Sequence, residues 1–213
     1  MSLKLNSSGG GSVTLQEPTT ANNQTLNLPD NSGTLISTAS TGQVIPKAAL
    51  PTGSVLQVVQ TVLTSVFSWT TKGAWVDMTG VSASITPTSA SSKILIQVML
   101  TSGDGGNNYN RGYRLTKNGS VLTGAQGDSG VTSCIQASMM GISGPIASND
   151  ITWTAPIIYF DSPATTSAVT YGVQGFAGTS SVTTSYINRP YAPNGGAPSF
   201  NGITTVTLME IAA

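Results

Sequence analysis

Histidine is absent from this chain of 213 residues, and cysteine occurs once, as Cys134. Without histidine, the chain lacks the side chain that serves most often as a general base and as a metal ligand. A single cysteine cannot form an intramolecular disulfide, so the fold needs no oxidising compartment. The sequence therefore predicts a protein that is not an enzyme and that holds no cofactor or metal.

Charged residues are scarce: they make up 8% of the chain, with 8 basic and 8 acidic side chains and no formal net charge. An ordinary soluble domain has about 25%. A neutral chain with scattered cations offers no electrostatic footprint for nucleic acid or for an anionic membrane surface. No apolar stretch approaches the about 18 residues of a membrane span, and the first ten residues lack the apolar region of a secretory signal. We expect no nucleic-acid partner, no membrane insertion and no secretory signal.

The first fifty residues also lack Trp, Tyr and Phe. Their apolar residues come in short pairs between turn-forming residues, which predicts short β-strands joined by turns. Six aliphatic side chains bury too little apolar surface to offset the ordering of about forty residues. We therefore expect this stem to pack against other copies of the chain. The stem-packing residues are Val13, Leu15, Leu26, Leu28, Leu35 and Ile36.

Three regions follow from this pattern: a stem at residues 1–38, a linker at 39–53 and a larger domain at 54–213. The linker carries Pro46 and Pro51, which exclude a long helix. The domain shows many short apolar runs, separated by Gly, Pro and Ser, and no helical periodicity, which predicts an all-β sandwich or barrel. The predicted strands are 55–62, 75–79, 81–86, 93–100, 111–123, 132–140, 151–160, 168–175, 183–188 and 203–211.

Two of these strands carry specific expectations. Both faces of 93–100 are largely apolar, so this strand is predicted to lie centrally in a sheet. Asn118-Gly119 within 111–123 is a strong hairpin signal. The last strand, 203–211, is expected to be docked in the sheet.

Several motifs resemble functional sites but favour plain structural interpretations. Gly127-Asp-Ser-Gly130 matches the residues around a serine-protease nucleophile, but that mechanism needs an imidazole. Residues 104–108 lack the ligand spacing of a calcium loop, although a weak cation site stays open. Cys134 lies in an apolar pattern and is predicted to be a small buried hydrophobe. Trp69, Trp75 and Trp153 are predicted core or interface residues, with a sugar-stacking role as the alternative.

Isolated carboxylates leave open a small carbohydrate-active enzyme, because folding could bring two of them together. The candidates are Asp77, Asp104, Asp128, Asp150, Asp161 and Glu210.

Two loops have the composition of recognition surfaces. Residues 186–200 combine aromatic side chains with Arg, Asn and Gly, and residues 103–111 have similar chemistry. Long loops with this composition are often used for binding. The predicted receptor-contact residues are Tyr186, Asn188, Arg189, Tyr191, Asn194, Phe200, Asn107, Tyr109 and Arg111. The alternative is that their aromatic side chains simply cover the sheet.

Four segments carry a family resemblance. Residues 11–35, GSVTLQEPTTANNQTLNLPDNSGTL, are similar to the N-terminal segment of many tail-fibre and virion structural proteins of tailed phages, especially marine and cyanobacterial ones. Residues 84–96 (SITPTSASSKILI), 160–167 (FDSPATTS) and 207–213 (TLMEIAA) resemble the β-sandwich domain that closes many such fibres. Together these similarities cover most of the chain.

The resemblance implies a trimeric phage fibre or related virion appendage, since tail, neck and head fibres share these segments. Our prediction is a homotrimeric tail fibre in the virion, assembled in the bacterial host cytoplasm. Its N-terminus would attach to other virion proteins, and a distal jelly-roll-like β-sandwich would adhere to host-surface polysaccharide. A purely structural head or neck decoration or adaptor is the main alternative, and a small carbohydrate-active enzyme is a further one. The resemblance supplies no catalytic residues.

Overall fold

The computed structural model describes residues 2–6, 8–16, 50–103, 111–131, 134–140, 152–179, 184–190 and 200–213. These residues form thirteen strands and one short 3₁₀ turn. The strands are β1 (Ser2–Asn6), β2 (Ser12–Gln16), β3 (Val55–Leu63), β4 (Phe67–Trp69), β5 (Trp75–Ile85), β6 (Lys93–Gly103), β7 (Arg111–Lys117), β8 (Ser120–Val121), β9 (Met139–Met140), β10 (Thr152–Asp161), β11 (Val169–Ala177), β12 (Ser185–Ile187) and β13 (Thr204–Ile211). The chain divides into two compact units, Met1–Val44 and Ile45–Ala213.

In the first unit, β1 and β2 form an antiparallel hairpin in which Leu3 lies opposite Leu15 and Leu5 opposite Val13. The predicted strand at Val13 and Leu15 is confirmed as β2. The sequence interpretation did not include β1, although it has the same alternation. Leu26, Leu28, Leu35 and Ile36 lie outside the described residues, and the stem boundaries and stem packing stay predictions.

The second unit is a β-sandwich. Its first sheet has the order β3-β13-β6-β12-β4, with β10 along the other edge of β6, and its second has the order β5-β11-β7-β8, with β9 also paired to β7. Every strand pair is antiparallel. Eight strands form the framework of the two sheets, and along the chain they are β3, β5, β6, β7, β8, β10, β11 and β13. Numbered 1 to 8 in that order, they give the sheet orders 1-8-3-6 and 2-7-4-5, which is the double Greek key of a jelly roll. The predicted all-β, jelly-roll-like sandwich is confirmed.

The core lies between the two sheets. β6 contributes Ile94, Ile96, Val98 and Leu100, each fully buried, and its position between β13 and β10 confirms the predicted central strand. β13 is docked between β3 and β6, as predicted for the last strand. The second sheet supplies the opposite wall of the core through Val81, Ala83, Ile85, Tyr113, Leu115, Tyr171 and Val173.

The Asn118-Gly119 hairpin is confirmed: both residues have positive φ, 51° and 78°, as a two-residue type I′ turn requires. Residues 75–79 and 81–86, predicted as two strands, are one strand. Gly80 adopts a φ of 85° within β5, where residues 78–81 bulge out of the ladder opposite Val173 of β11 and pairing resumes at Ser82.

The predicted strand at 132–140 is wrong for most of its described length. It is a strand only at Met139–Met140, and residues 134–138 form a connection. Cys134 is consequently exposed instead of buried. A short strand, β4, was not predicted, because three residues give too little alternation to detect.

Candidate functional site

The predicted receptor residues divide into surface and interior positions. Tyr186 is half-buried on β12, and the Arg189 guanidinium lies 4.4 Å from the centre of its ring. Phe200 is 74% exposed. The structure keeps these three at the surface. Tyr191, Asn194, Asn107 and Tyr109 lie outside the described residues.

Asn188 is placed in the interior, which corrects its prediction as a receptor contact. Its side chain is fully buried, and its amide nitrogen donates to the carbonyls of Leu63 and Ser65 at 2.8 and 2.9 Å. Its amide oxygen accepts a hydrogen bond from the Thr204 hydroxyl at 2.8 Å. Asn188 also has a φ of 68°, a left-handed conformation that asparagine tolerates well. Its hydrogen bonds connect the ends of β3, β12 and β13, and its buried side chain is not accessible to a partner.

Arg111 is likewise in the interior: it is 2% exposed and lies 6.0 Å from the ring of the buried Trp69. We therefore remove it from the receptor contacts. Trp69 belongs to the core, and Trp153 packs against the core with its ring 6.1 Å from Tyr113. Trp75 is half-buried on the outer side of the second sheet.

Asp161 joins the two sheets. Its Oδ2 accepts hydrogen bonds from the Lys117 ammonium at 2.8 Å and from the Tyr171 hydroxyl at 2.6 Å. Burial, followed by the interaction with Asp161, raises the pKa of Tyr171 well above its usual value. The phenol therefore stays protonated and acts as a permanent donor. The arrangement links β10 to β7 and β11.

Glu210 fixes the connection between β5 and β6. Its fully buried carboxylate accepts hydrogen bonds from the Thr88 backbone N–H at 2.6 Å, the Thr88 hydroxyl at 2.7 Å and the Gln57 amide at 2.6 Å. Burial alone would raise the pKa of Glu210, but these hydrogen bonds outweigh burial and lower the pKa below its ordinary value. The carboxylate is therefore held in its charged form.

The remaining described acids also have local structural partners. Asp128 accepts a hydrogen bond from the Gly130 backbone at 2.8 Å in an exposed turn, and Asp77 accepts one from Gln174 at 2.8 Å. Asp104 and Asp150 lie outside the described residues. Within the described ranges, no three or more His, Cys, Asp or Glu side chains form a group that could hold a metal ion. No helix among these residues is long and apolar enough to cross a membrane.

The outer side of the second sheet carries a hydrogen-bonded polar surface, here called the polar outer face. Arg114, Gln174 and Asp77 lie in one row across β7, β11 and β5. Arg114 donates to Gln174 at 2.7 Å, and its guanidinium lies 4.2 Å from the Trp75 ring. Burial lowers the pKa of Arg114, while the Asp77 charge opposes the shift. The next rows carry Ser84 and Thr170, whose hydroxyls are 2.6 Å apart.

The outer side of the first sheet is mostly apolar, with polar side chains chiefly in its middle row. The register aligns its side chains in three rows across β3, β13, β6 and β10. This apolar outer face consists of Val62, Thr205, Met99 and Pro156 in one row, Gln60, Thr207, Gln97 and Ile158 in the second, and Val58, Met209, Leu95 and Phe160 in the third.

The apolar outer face is open. Ile158 is 66% exposed, Val58 55%, Phe160 53%, and Val62 and Met99 47% each. Beyond the third row, Ile211 and Phe160 line a shallow cavity of about 480 Å³ together with Lys93. Sequence reasoning did not identify this face, although its signal is present: both sides of the strands at 93–100 and 151–160 are apolar.

Comparison with known proteins adds a likeness to solved structures. No protein-family model matches this chain, and no curated protein matches it. One similar solved structure is described as "Structure of infectious bursal disease virus Gx strain", with 13% sequence identity and a TM-score of 0.37. The alignment covers 81% of this chain and 46% of that chain, so the present chain spans less than half the length of its neighbour. We base no functional statement on a likeness at this level.

Proposed function

We propose that this chain is a non-enzymatic structural protein of a phage virion, a subunit of a homotrimeric tail fibre. Its N-terminal region attaches to other virion proteins, and its jelly-roll sandwich is displayed at the distal end. The sequence resemblance at residues 11–35, 84–96, 160–167 and 207–213 supplies the family context. Jelly-roll sandwiches recur in viral capsid and lectin domains, which is compatible with this proposal.

The observation that carries the proposal is the apolar outer face. Contiguous exposed apolar surfaces of a few hundred Å² are often functional, and they mark sites of association. Here the face extends across four strands and includes Ile158 and Phe160, both more than half exposed. A subunit that functions only within an assembly accounts for this surface, whereas a free enzyme gains nothing from it.

The described carboxylates support a non-enzymatic role. A glycosidase needs two carboxyl groups that face a substrate with space for the scissile bond. Asp161 and Glu210 are both buried and take part in structural hydrogen bonds instead. Charged residues make up only 8% of the chain, and a surface with so little charge is common on proteins that are always assembled.

Host adhesion is the second part of the proposal, with surface polysaccharide as its target. The polar outer face presents hydroxyl, amide and paired charged groups with little net charge, and such groups suit a neutral glycan. Tyr186, Arg189 and Phe200 add an aromatic and cationic surface at one end of the sandwich. Three copies of a weak site on one fibre would gain strength through effective concentration.

Labelling of purified particles tests the proposal. Antibodies against this chain, imaged on intact virions, are expected to mark the tail, with the jelly-roll sandwich at the distal end of the fibre. Labelling of the head or neck would instead support the decoration or adaptor alternative. Absence of the chain from purified particles would refute the virion proposal. Adhesion is tested separately, because purified protein that fails to bind host cells and their extracted polysaccharide would remove only that part.

A further inference from the structure

We infer that the apolar outer face is a contact between copies of this chain, where the sandwich of one subunit packs against the sandwiches of its neighbours. The inference rests on the proposed function in that it concerns the same assembly. It goes beyond the stem, because it adds a second and separate self-contact in the sandwich. The assembly would then be held at two places along each chain.

The dimensions of the face fit a protein partner. With about 4.8 Å between strands and about 6.8 Å between alternate residues, four strands and three rows extend about 15 Å in each direction. Its five most exposed apolar side chains are about half exposed, which leaves on the order of 400 Å² of apolar surface. The half-buried Leu95, Met209 and Ile211 enlarge the face toward the about 800 Å² that one partner contributes to a standard interface.

The chemistry of the face favours another copy over a different partner. The three rows contain no charged residue, and Lys93 lies beyond them at the margin. A surface without charge gives no complementarity toward a partner of either sign, but it is complementary to itself. In the middle row Gln60 donates to the Thr207 hydroxyl at 2.8 Å, and the amide of Gln97 offers both a donor and an acceptor to an identical row.

The opposite side of the sandwich has different properties. On the polar outer face, Arg114 is bonded to Gln174 and Gln174 to Asp77, and Ser84 is bonded to Thr170. Packing that face against a neighbour would remove solvated polar groups from water for little apolar gain. Copies are therefore expected to meet through the first sheet and to leave the second sheet outward.

Cysteine cross-linking in the purified full-length chain tests this arrangement. Gln97→Cys places a thiol at the centre of the apolar outer face, and Cys134→Ser removes the native thiol. The matched control is Ser84→Cys in the same background, which places a thiol on the polar outer face. With a short bis-maleimide, we expect at least about tenfold more covalent dimer from Gln97→Cys than from Ser84→Cys. Met99→Cys, one row away, is the second face variant, and circular dichroism checks that each variant is folded.

Two results would overturn the inference. One is equal or absent cross-linking from both face variants in folded protein, and the other is a molar mass of one chain by light scattering at micromolar concentration. Because only this chain is present, a cross-linked dimer cannot arise from another virion protein. A chain that is found in particles but whose face does not cross-link would refute this inference and leave the proposed function standing. If the chain is absent from particles but its face variants still cross-link, the proposed function is refuted and this inference stands.

Discussion

The two outer faces of the sandwich have opposite character although they belong to one domain. The polar outer face is linked by its own hydrogen bonds, from Arg114 to Gln174 and from Gln174 to Asp77. The apolar outer face has Ile158 and Phe160 more than half exposed. A protein that functioned alone would need two solvated faces. The difference indicates which side is suited to contact between copies of the chain and which side stays in solvent, where the proposed glycan would reach it.

Charging the apolar outer face is expected to have the largest effect. The double variant Ile158→Lys with Phe160→Lys should weaken self-association about thousandfold, which corresponds to about 4 kcal/mol, because it buries charge and removes apolar contact. Sedimentation velocity over a dilution series measures the change. Ser84→Lys with Thr170→Lys on the polar outer face is the control, and equal effects of the two pairs would refute the distinction between the faces.

Beneath the apolar outer face, Glu210 tests whether the first sheet depends on one buried carboxylate. Glu210→Gln sets an amide N–H₂ against its hydrogen-bond donors, so the free energy of unfolding should fall by about 2–3 kcal/mol at neutral pH. Urea denaturation measures this loss. A stability equal to that of the native chain would mean that the bonds from Thr88 and Gln57 contribute little.

The same group predicts an acid sensitivity. Because the pKa of Glu210 is lowered in the folded state, its contribution is complete above the unfolded pKa of about 4.3 and is lost as the pH falls toward the folded value. The stability gap between the native chain and Glu210→Gln should therefore narrow from about pH 5 to about pH 3. A gap that stayed constant over this range would show that the folded pKa is not lowered.

A smaller effect is expected on the polar outer face. Gln174→Ala removes the bridge between Arg114 and Asp77, which is only partly buried, so stability should fall by about 0.5–1 kcal/mol. Thermal unfolding measures the change. The molar mass should stay unchanged. If this variant caused the assembly to dissociate, the polar outer face would take part in assembly, contrary to our inference.

The smallest expected effect concerns Cys134, which is exposed in the connection before β9. Its rate of reaction with a thiol reagent should differ by less than about twofold between the native protein and the Ile158→Lys, Phe160→Lys variant, because Cys134 does not belong to the apolar outer face. A rate that rose strongly on dissociation would place this connection inside the interface.

Much of the fold could be predicted because it depends on local patterns. Short apolar runs between turn-forming residues identified β3, β6, β10, β11 and β13, and Asn118-Gly119 identified a hairpin whose turn requires two positive φ angles. Gly80 was misleading for the same local reason: a glycine between two apolar runs usually ends a strand, and here it lies in a bulge of β5 beyond which the pairing with β11 resumes.

The site was harder to predict, because the decisive information is three-dimensional. A strand that is apolar on both sides, such as 93–100, is correctly placed in the centre of a sheet, but the pattern cannot show that one side stays uncovered. Similarly, the composition around Asn188 is that of a recognition loop. Its burial and its bonds to Leu63 and Ser65 depend on a chain segment more than a hundred residues away.

Pro156 on β10 has a consequence for the form of the assembly. Among the described strands, β10 pairs with β6 alone and therefore lies at an edge of the first sheet. Proline has no backbone N–H, so a foreign strand cannot complete a continuous ladder along this margin. Pairing of subunits into a continuous ribbon of strands is thereby disfavoured along this edge.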